Sequence, residues 1–135
     1  MHMEIHDHTY IKEIQKTFSD FYPFLSLNFY TGHHGKYESS SEKNWIDPNR
    51  KIGEERSSHL SALIEIQPHY HVADVEREFM DRLGLSVQVM KKEKEQWEQT
   101  TGLDNLSLKD LNILGRNSSD EFVVEDYDKS FEEEY

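Results

Sequence analysis

Apolar residues recur at helical spacing in two separate stretches of the chain. The apolar positions of the first stretch are Ile11, Ile14, Phe18 and Phe21, and those of the second are Val72, Val75, Phe79 and Leu83. A strand-like segment precedes each stretch, at residues 3–6 and 62–67, and an alternating segment follows each, at residues 25–29 and 85–89. Spacing by three and four residues predicts a helix with one buried face, and strict alternation predicts a half-buried strand. The pattern therefore predicts two successive β-α-β units.

The two units resemble each other residue by residue. When residues 4–22 are laid over residues 65–83 without a gap, the identical pairs are Glu4/Glu65, Ile5/Ile66, His8/His69, Phe18/Phe79 and Asp20/Asp81. With one residue dropped at the turn, the match resumes at Leu25/Leu85. Two such units complete a four-stranded sheet with both helices on one face, which is the ferredoxin-like βαββαβ plait. We predict an α+β protein with this plait, built by internal duplication; a β-grasp fold is the alternative.

Further elements follow the second unit. Residues 91–95 are predicted to form a charged turn, and residues 96–101 a fifth strand that carries Trp97. Ser107 is predicted to begin a short helix as the first residue of an S-x-x-D cap, and Gly115 to end it in the left-handed conformation. Pro23 and Gly84 are predicted to end the two longer helices.

Composition divides the chain into a domain and a tail. A length of 135 residues is typical of one domain, and residues 1–116 are predicted to form it, with a long polar insertion at residues 31–60. Residues 117–135 form an acidic tail that is predicted to be flexible. Within the tail, large apolar residues that stand among the acids are predicted to contact a partner protein. They are Phe122, Val123, Val124, Tyr127 and Phe131.

Charge and residue usage exclude several classes of protein. The formal net charge of −12 argues against a nucleic-acid ligand, since binding phosphates requires a positive surface. The chain contains no cysteine, which excludes disulfides, thiolate zinc sites and cysteine nucleophiles. No stretch approaches the roughly 18 apolar residues of a membrane span, and the N-terminus shows no secretory signal. We therefore expect a cytoplasmic protein that binds neither nucleic acid nor membrane.

Histidine is the residue type that suggests metal chemistry. In a plait, the ends of the first two strands and the start of the third share one edge of the sheet. That edge would hold His6, His8, His33, His34 and His59. Neutral imidazoles bind zinc, nickel or copper. The sequence thus leaves open a zinc or nickel site at this edge, and otherwise it predicts no cofactor.

Catalytic motifs are absent from the sequence. It contains no G-x-S-x-G turn and no G-x-x-x-x-G-K-[ST] loop. We therefore favour a non-enzymatic protein-interaction module, with an unknown protein partner or a second copy of the chain in a homodimer. The alternative is a metal- or small-ligand-binding protein, including a metalloenzyme, that uses the histidine-rich sheet edge.

Several short stretches, taken in their order, resemble a known family. They are FYPFLSLNFY at 21–30, KIGEER at 51–56, LGLSVQV at 83–89, Trp97 with the threonines at 100–101, and SLKDLNILG at 107–115. In this order they resemble a family of small uncharacterised bacterial α+β proteins with no established activity. The resemblance spans residues 3–116 and implies a soluble bacterial protein. Relatives tend to open the second helix with a hydroxyl residue, where this chain has His71, so the resemblance leaves the cap of that helix open.

Overall fold

A computed structural model describes residues 1–31, 44–56 and 59–119, and every structural statement below concerns these residues. The helices are α1 (Ile11–Phe21), α2 (Val72–Leu83) and α3 (Leu108–Asn117), and a 3₁₀ turn spans Ile52–Glu54. The strands are β1 (His2–Ile5), β2 (Leu25–Tyr30), β3 (Ala62–Glu65), β4 (Ser86–Glu93) and β5 (Gln96–Gln99). The protein is therefore α+β, as predicted. No helix of the described part is long and apolar enough to cross a membrane.

The strands form two small antiparallel sheets. In the first sheet β1 pairs with β3, and in the second sheet β4 lies between β2 and β5. A ferredoxin-like plait also pairs β1 with β3, but it places β2 and β4 at opposite edges. The topology of the described residues therefore does not show the predicted plait. It shows no parallel pair of the β-grasp kind either, because every described pair is antiparallel.

The pairing of β2 with β4 has a simple physical reason. Leu27 lies opposite Val89 and Phe29 opposite Val87, so the two strands place their apolar alternate residues side by side. These side chains form the inner face of the second sheet, and all of them are buried. Each fully buried side chain of this size contributes about 1.5–3 kcal/mol through the hydrophobic effect.

The two β-α-β units pair with each other through matching residues. Met3 lies opposite Ile64 in the first sheet, and Asn28 lies opposite Gln88 in the second. In the alignment of the two units, Ile64 is the counterpart of Met3 and Gln88 is the counterpart of Asn28. An antiparallel pair centred on matching residues has a local two-fold relation at its centre. Both sheets follow this relation, in agreement with the internal repeat.

The repeat extends into the polar stretch between the units. We use the name closing segment for residues 51–56 in the first unit and residues 107–117 in the second. At the start of each closing segment, two backbone N–H groups donate to two carbonyls of the preceding β-α connection, at matching positions. The bonds are Ile52 to Thr9 (2.8 Å) and Gly53 to Asp7 (3.0 Å) in the first unit, and Leu108 to Tyr70 (2.8 Å) and Lys109 to Pro68 (3.1 Å) in the second.

The helices bury the predicted faces with one exception. All four predicted apolar positions of α2 are buried, as are Ile11, Ile14 and Phe18 of α1. Phe21 was predicted to join them but is 57% exposed, and Tyr22, which follows the end of α1, is buried in the core instead. The rings of Phe29 and Phe79 meet edge to face, with centroids 5.4 Å apart, and thereby join β2 of one unit to α2 of the other.

Helix ends follow the predictions in part. Gly84 ends α2 in the left-handed conformation (φ 69°), and the Ser107 side chain accepts a hydrogen bond from the Asp110 N–H (3.1 Å) at the start of α3. At His71 the cap comes from within the helix, since the Asp74 carboxylate accepts from the His71 N–H (2.9 Å). The prediction for Gly115 was wrong, because α3 continues to Asn117. A Cβ at Gly115 would lie 2.9 Å from the Phe24 carbonyl oxygen, so this glycine allows close packing.

The charged turn is shorter than predicted. β4 continues to Glu93, because Lys91, Lys92 and Glu93 each pair with a residue of β5. Lys94, with a positive φ of 56°, begins the turn, and β5 ends at Gln99. The buried ammonium of Lys91 bonds the Glu93 carboxylate at 2.8 Å, which keeps a charged residue acceptable inside this strand.

Candidate functional site

The structure describes three of the five histidines that were predicted to share one edge of the sheet, namely His6, His8 and His59. Ile5 at the end of β1 lies opposite Ala62 at the start of β3, so the segments that contain His6 and His59 adjoin the same end of the first sheet. His6 Nδ1 lies 2.9 Å from the Ser61 hydroxyl oxygen, and His8 is exposed. His33 and His34 lie outside the described residues.

The described histidines do not form a ligand set for a metal ion. In residues 1–31, 44–56 and 59–119, no group of three or more histidine, aspartate or glutamate side chains is arranged to hold one. The zinc or nickel site stays a prediction, because His33 and His34 belong to it. The predicted partner contacts in the tail also stay a prediction, since they lie outside the described residues. These are Phe122, Val123, Val124, Tyr127 and Phe131.

Asp7 anchors the first closing segment to the β1-α1 connection. Its Oδ1 accepts hydrogen bonds from the Arg56 guanidinium at 3.1 and 3.3 Å, and its Oδ2 lies 3.0 Å from His59 Nδ1. The Arg56 side chain is 2% exposed and the Asp7 side chain 33%. Partial burial by itself would raise the pKa of Asp7, but the hydrogen bonds and charges of His59 and Arg56 outweigh it and lower the pKa. Both carboxylate oxygens are engaged, which suits a structural anchor better than a general base.

A groove of about 580 Å³ crosses the outer face of the second sheet, which is the face turned away from the buried leucine, valine and phenylalanine side chains of β2 and β4. Two tryptophans lie in its wall, Trp45 beyond β2 and Trp97 on β5. The residues between them are mainly uncharged and polar, namely Gln15, Ser26, Asn28 and Gln99, together with Met90. Apolar walls with a few polar groups are typical of ligand-binding clefts of this size.

Strand alternation builds the floor of this groove. Because alternate side chains of a strand point to opposite faces, Ser26 and Asn28 of β2 lie on the outer face. In the register of the sheet, Ser26 lies opposite Met90, and Asn28 lies opposite Gln88. Ser26, Asn28 and Met90 therefore give the floor a hydroxyl, a carboxamide and a thioether, while Gln88 is buried beside them.

Short backbone contacts place the two tryptophans. The Ile46 N–H donates to the Phe29 carbonyl (2.7 Å), which holds the neighbouring Trp45 beside the end of β2. Trp97 lies opposite Lys92 in the β4–β5 pair, and the Lys92 ammonium lies 5.2 Å from the centroid of the Trp97 ring. This cation–π contact orients the indole while leaving it 43% exposed.

Two polar atoms on this face have no hydrogen-bond partner within the described part of the chain. They are Nε1 of Trp45, a donor, and Oε1 of Gln88, an acceptor. Gln88 is 2% exposed, and its amide nitrogen donates to the Val89 carbonyl (3.2 Å) and lies 3.5 Å from the Thr100 hydroxyl oxygen. A buried polar group without a partner costs about 1–3 kcal/mol, so these two atoms lower the stability of the fold.

Sequence reasoning did not find the groove. Its polar residues occupy ordinary outward positions of strands, where serine, asparagine and glutamine are expected. The available signal was the pair of tryptophans, since Trp45 lies in a polar stretch and Trp97 occupies a strand that is otherwise polar.

Comparison of the chain with protein-family models, with curated proteins and with solved structures found no match. The resemblance to a bacterial family therefore stays a prediction, and the function must be argued from this structure alone.

Proposed function

We propose that this chain is a non-enzymatic protein-interaction module that receives an extended segment of a partner protein along β5. The observation that carries the proposal is the exposed Trp97 on a strand at the edge of the second sheet. Among the described residues, β5 has β4 on one side and no strand on the other. Such an edge is a template for an added strand.

The opposite edge of the second sheet is occupied, which favours β5 as the docking edge. The Gln15 side chain donates to the Leu27 carbonyl at 2.9 Å, and the Ser19 hydroxyl donates to the Leu25 carbonyl at 3.0 Å. The segment around Trp45 bonds to the end of the same strand. These carbonyls of β2 are thus bonded from within the chain, so a partner strand would gain less there.

An added strand would also supply the contents of the groove. Its alternate side chains would point to the outer face, where Trp97 forms one wall of the groove. Main-chain hydrogen bonds to β5 would give affinity, and the side chain in the groove would give specificity. A second copy of the chain is the alternative partner.

Two predictions from the sequence remain proposals, namely the ferredoxin-like plait and the bacterial cytoplasmic location. At the level of fold, the β1–β3 pair agrees with a ferredoxin-like plait, but the pairing of β2 with β4 does not, because a plait places these strands at opposite edges. A bacterial cytoplasmic location rests on the sequence and the resemblance.

Affinity capture with the full chain tests this proposal. The chain is immobilised and exposed to a bacterial lysate, and each retained protein is identified, purified and titrated against the chain. We expect Trp97→Ser to weaken the binding of the true partner by at least thirtyfold, since buried tryptophans at interfaces contribute about 2 kcal/mol or more. The matched control is Leu63→Ser, which removes an exposed apolar side chain from β3 in the first sheet. Equal affinities of the two variants for every retained protein would overturn the proposal. Chemical conversion of a retained protein by the chain would also overturn it, because the proposed module is not an enzyme.

A further inference from the structure

The open edge of β5, the side on which no described strand lies, is close to the point where the described chain ends. We infer that residues 122–125 of the same chain occupy this edge as an added strand when no partner is bound, and that a partner must displace them. The inference rests on the proposed function, because it gives the same edge two competing occupants. Residues 122–125 lie outside the described residues, whereas β5 and the point from which the tail departs lie within them.

The main chain of Trp97 faces the open edge. The Lys92 N–H donates to the carbonyl of Phe24, which precedes β2, at 2.9 Å, so the main chain of Lys92 points away from β5. Trp97 lies opposite Lys92. In an antiparallel pair, bonded and non-bonded pairs alternate, and both members of a non-bonded pair point away from each other's strand. The N–H and carbonyl of Trp97 therefore point away from β4, where an added strand can bond them.

The described chain ends beside the start of β5. The Lys94 N–H, in the β4–β5 turn, donates to the Ser118 carbonyl at 2.8 Å. Gln96 begins β5 two residues after Lys94. The open edge is two strand spacings from β4, which is about 10 Å, and three extended residues span about the same distance. Residues 119–121 are thus enough to carry the chain to this edge.

The helix α3 supplies the connection that a parallel strand requires. A segment that leaves Ser119 and runs along β5 starts at the same end as β5, so it is parallel to β5. Parallel neighbours need a crossover of about a dozen residues or more, usually a helix. Residues 100–121 include α3 and are long enough for this crossover. With residues 122–125 added, the chain would contain a third β-α-β connection.

The first apolar residues of the tail suit this position. Residues 122–124 read Phe-Val-Val, and aromatic and β-branched residues are enriched in strands. Alternation places Phe122 and Val124 on one face of an added strand. On the outer face they would contact Trp97, which is 43% exposed, and the groove, whose lining residues are all uncharged. The burial of these apolar surfaces would favour the contact.

Like charges keep this contact weak enough for a partner to displace. Glu95 and Glu98 adjoin the open edge, and Glu121 and Glu125 flank the apolar run of the tail. Like charges on neighbouring strands are destabilising. The short connection nevertheless gives the segment an effective concentration on the order of 1 mM. A contact with a Kd of about 0.1 mM would therefore occupy the edge about ten times as often as it leaves the edge empty.

Hydrogen exchange of the Trp97 main-chain amide tests the inference on the full chain without any partner. We expect protection of about tenfold relative to the intrinsic rate. The double variant Phe122→Ser/Val124→Ser should lose most of this protection, because it deletes the apolar contacts with the groove. The matched control is Tyr127→Ser/Phe131→Ser, which also removes two large apolar side chains from the tail, leaves the charge unchanged and should keep the protection.

Three results would overturn the inference. The first is an unprotected Trp97 amide in the parent chain, and the second is equal protection in the two double variants. The third is protection that disappears on dilution, because the occupant would then be the tail of a second copy. The Gly53 and Lys109 amides, which bond within the described domain, should be equally protected in all chains and show that the fold is intact.

A partner retained by affinity capture separates this inference from the proposed function. Phe122→Ser/Val124→Ser should bind this partner about tenfold more tightly than the parent chain, because the edge no longer has to be vacated. Weaker binding would mean that the tail contacts the partner, and it would overturn the inference. An unprotected Trp97 amide together with Trp97-dependent partner binding would leave the proposed function standing. A protected amide without any Trp97-dependent partner would leave only the inference.

Discussion

The two closing segments occupy matching positions in the repeat, but different forces hold them. In the first unit a single 3₁₀ turn is tied down by the buried guanidinium of Arg56 on the carboxylate of Asp7. In the second unit a helix of ten residues is held by Leu108 and Leu111, both fully buried, and by the close approach of Gly115 to Phe24. The backbone bonds to the β-α connections are the same in both units. The first anchor thus combines an ion pair with one buried apolar side chain, Ile52, whereas the second anchor is apolar.

This difference has consequences for stability. Apolar burial is not directional and varies little with pH, whereas the Asp7–Arg56 pair depends on the ionisation of a carboxyl group. The buried guanidinium also needs its counter-charge, since an uncompensated buried charge is strongly destabilising. The first closing segment should therefore respond to conditions that leave the second unchanged.

The largest effect is expected at matched core residues, where the units should behave alike. Phe18 and Phe79 are counterparts in the repeat, and both are fully buried. Phe18→Ala and Phe79→Ala should each lower the free energy of unfolding by about 3–5 kcal/mol, because each leaves a cavity. Urea denaturation followed by circular dichroism measures both values. Two separate transitions in either variant would show that the units unfold independently, contrary to the pairing of their strands.

A smaller effect, with a difference between the units, is expected at two tightly packed glycines. A Cβ at Gly53 would lie 2.7 Å from Asp7 Cβ, and one at Gly115 would lie 2.9 Å from the Phe24 carbonyl oxygen. Gly53→Ala should cost about 1–3 kcal/mol through overpacking. Gly115→Ala should cost less, because alanine is favoured over glycine by about 1 kcal/mol inside a helix. The two Tm values test this order, and a larger loss at Gly115 would contradict it.

The first residues of the closing segments sharpen the comparison further. The Ser107 side chain caps α3 by accepting from the Asp110 N–H, whereas the Lys51 side chain caps nothing. Ser107→Ala should cost about 1 kcal/mol, and Lys51→Ala should stay within about 0.5 kcal/mol of the parent chain. Chemical denaturation of the two single variants and the double variant gives the values. Equal losses would mean that the cap does not distinguish the segments.

The smallest effect concerns pH and is local. The pKa of Asp7 in the folded chain lies below the value of about 4 in an unfolded chain, so its contribution is complete above about pH 4 and is lost as the pH falls through the folded-state pKa. The matched amides of Gly53 and Lys109 report on this by hydrogen exchange, corrected for intrinsic rates. Protection of the Gly53 amide should fall first in acid. A parallel loss at Lys109 would indicate global unfolding, to which Asp74 and Glu93, whose pKa values are also lowered, contribute.

Periodicity predicted the helices and most strands because burial acts locally on side-chain spacing. Strand pairing was not predictable in the same way, since Leu27 and Phe29 fit any apolar partner strand. The contact of Phe29 with Phe79 of the other unit is likewise invisible in the linear pattern. The first closing segment was missed because a single fully buried apolar residue, Ile52, holds it among polar neighbours. Its anchor is ionic, and arginine and aspartate in a polar stretch give no periodic signal.

The candidate site was less predictable than the fold. The predicted histidine edge was derived from the strand ends of an assumed plait, and within the described residues its members do not gather into a ligand set. The groove needs residues from α1, from the segment around Trp45 and from three strands. Such a combination follows from the pairing of β2 with β4, which the linear pattern did not reveal.

The cross-pairing of the two units has a consequence for synthesis on the ribosome. Among the described residues, β1 and β2 have β3 and β4 as their strand partners, and β2 is separated from β4 by about 60 residues of chain. At the usual elongation rate of about 5–20 residues per second, the nascent first unit waits on the order of 3–12 s with its strands unpaired. During this interval Leu27 and Phe29 belong to an exposed hydrophobic segment, and chaperones bind segments of this kind. Folding is therefore expected to begin only when most of the second unit has emerged from the exit tunnel.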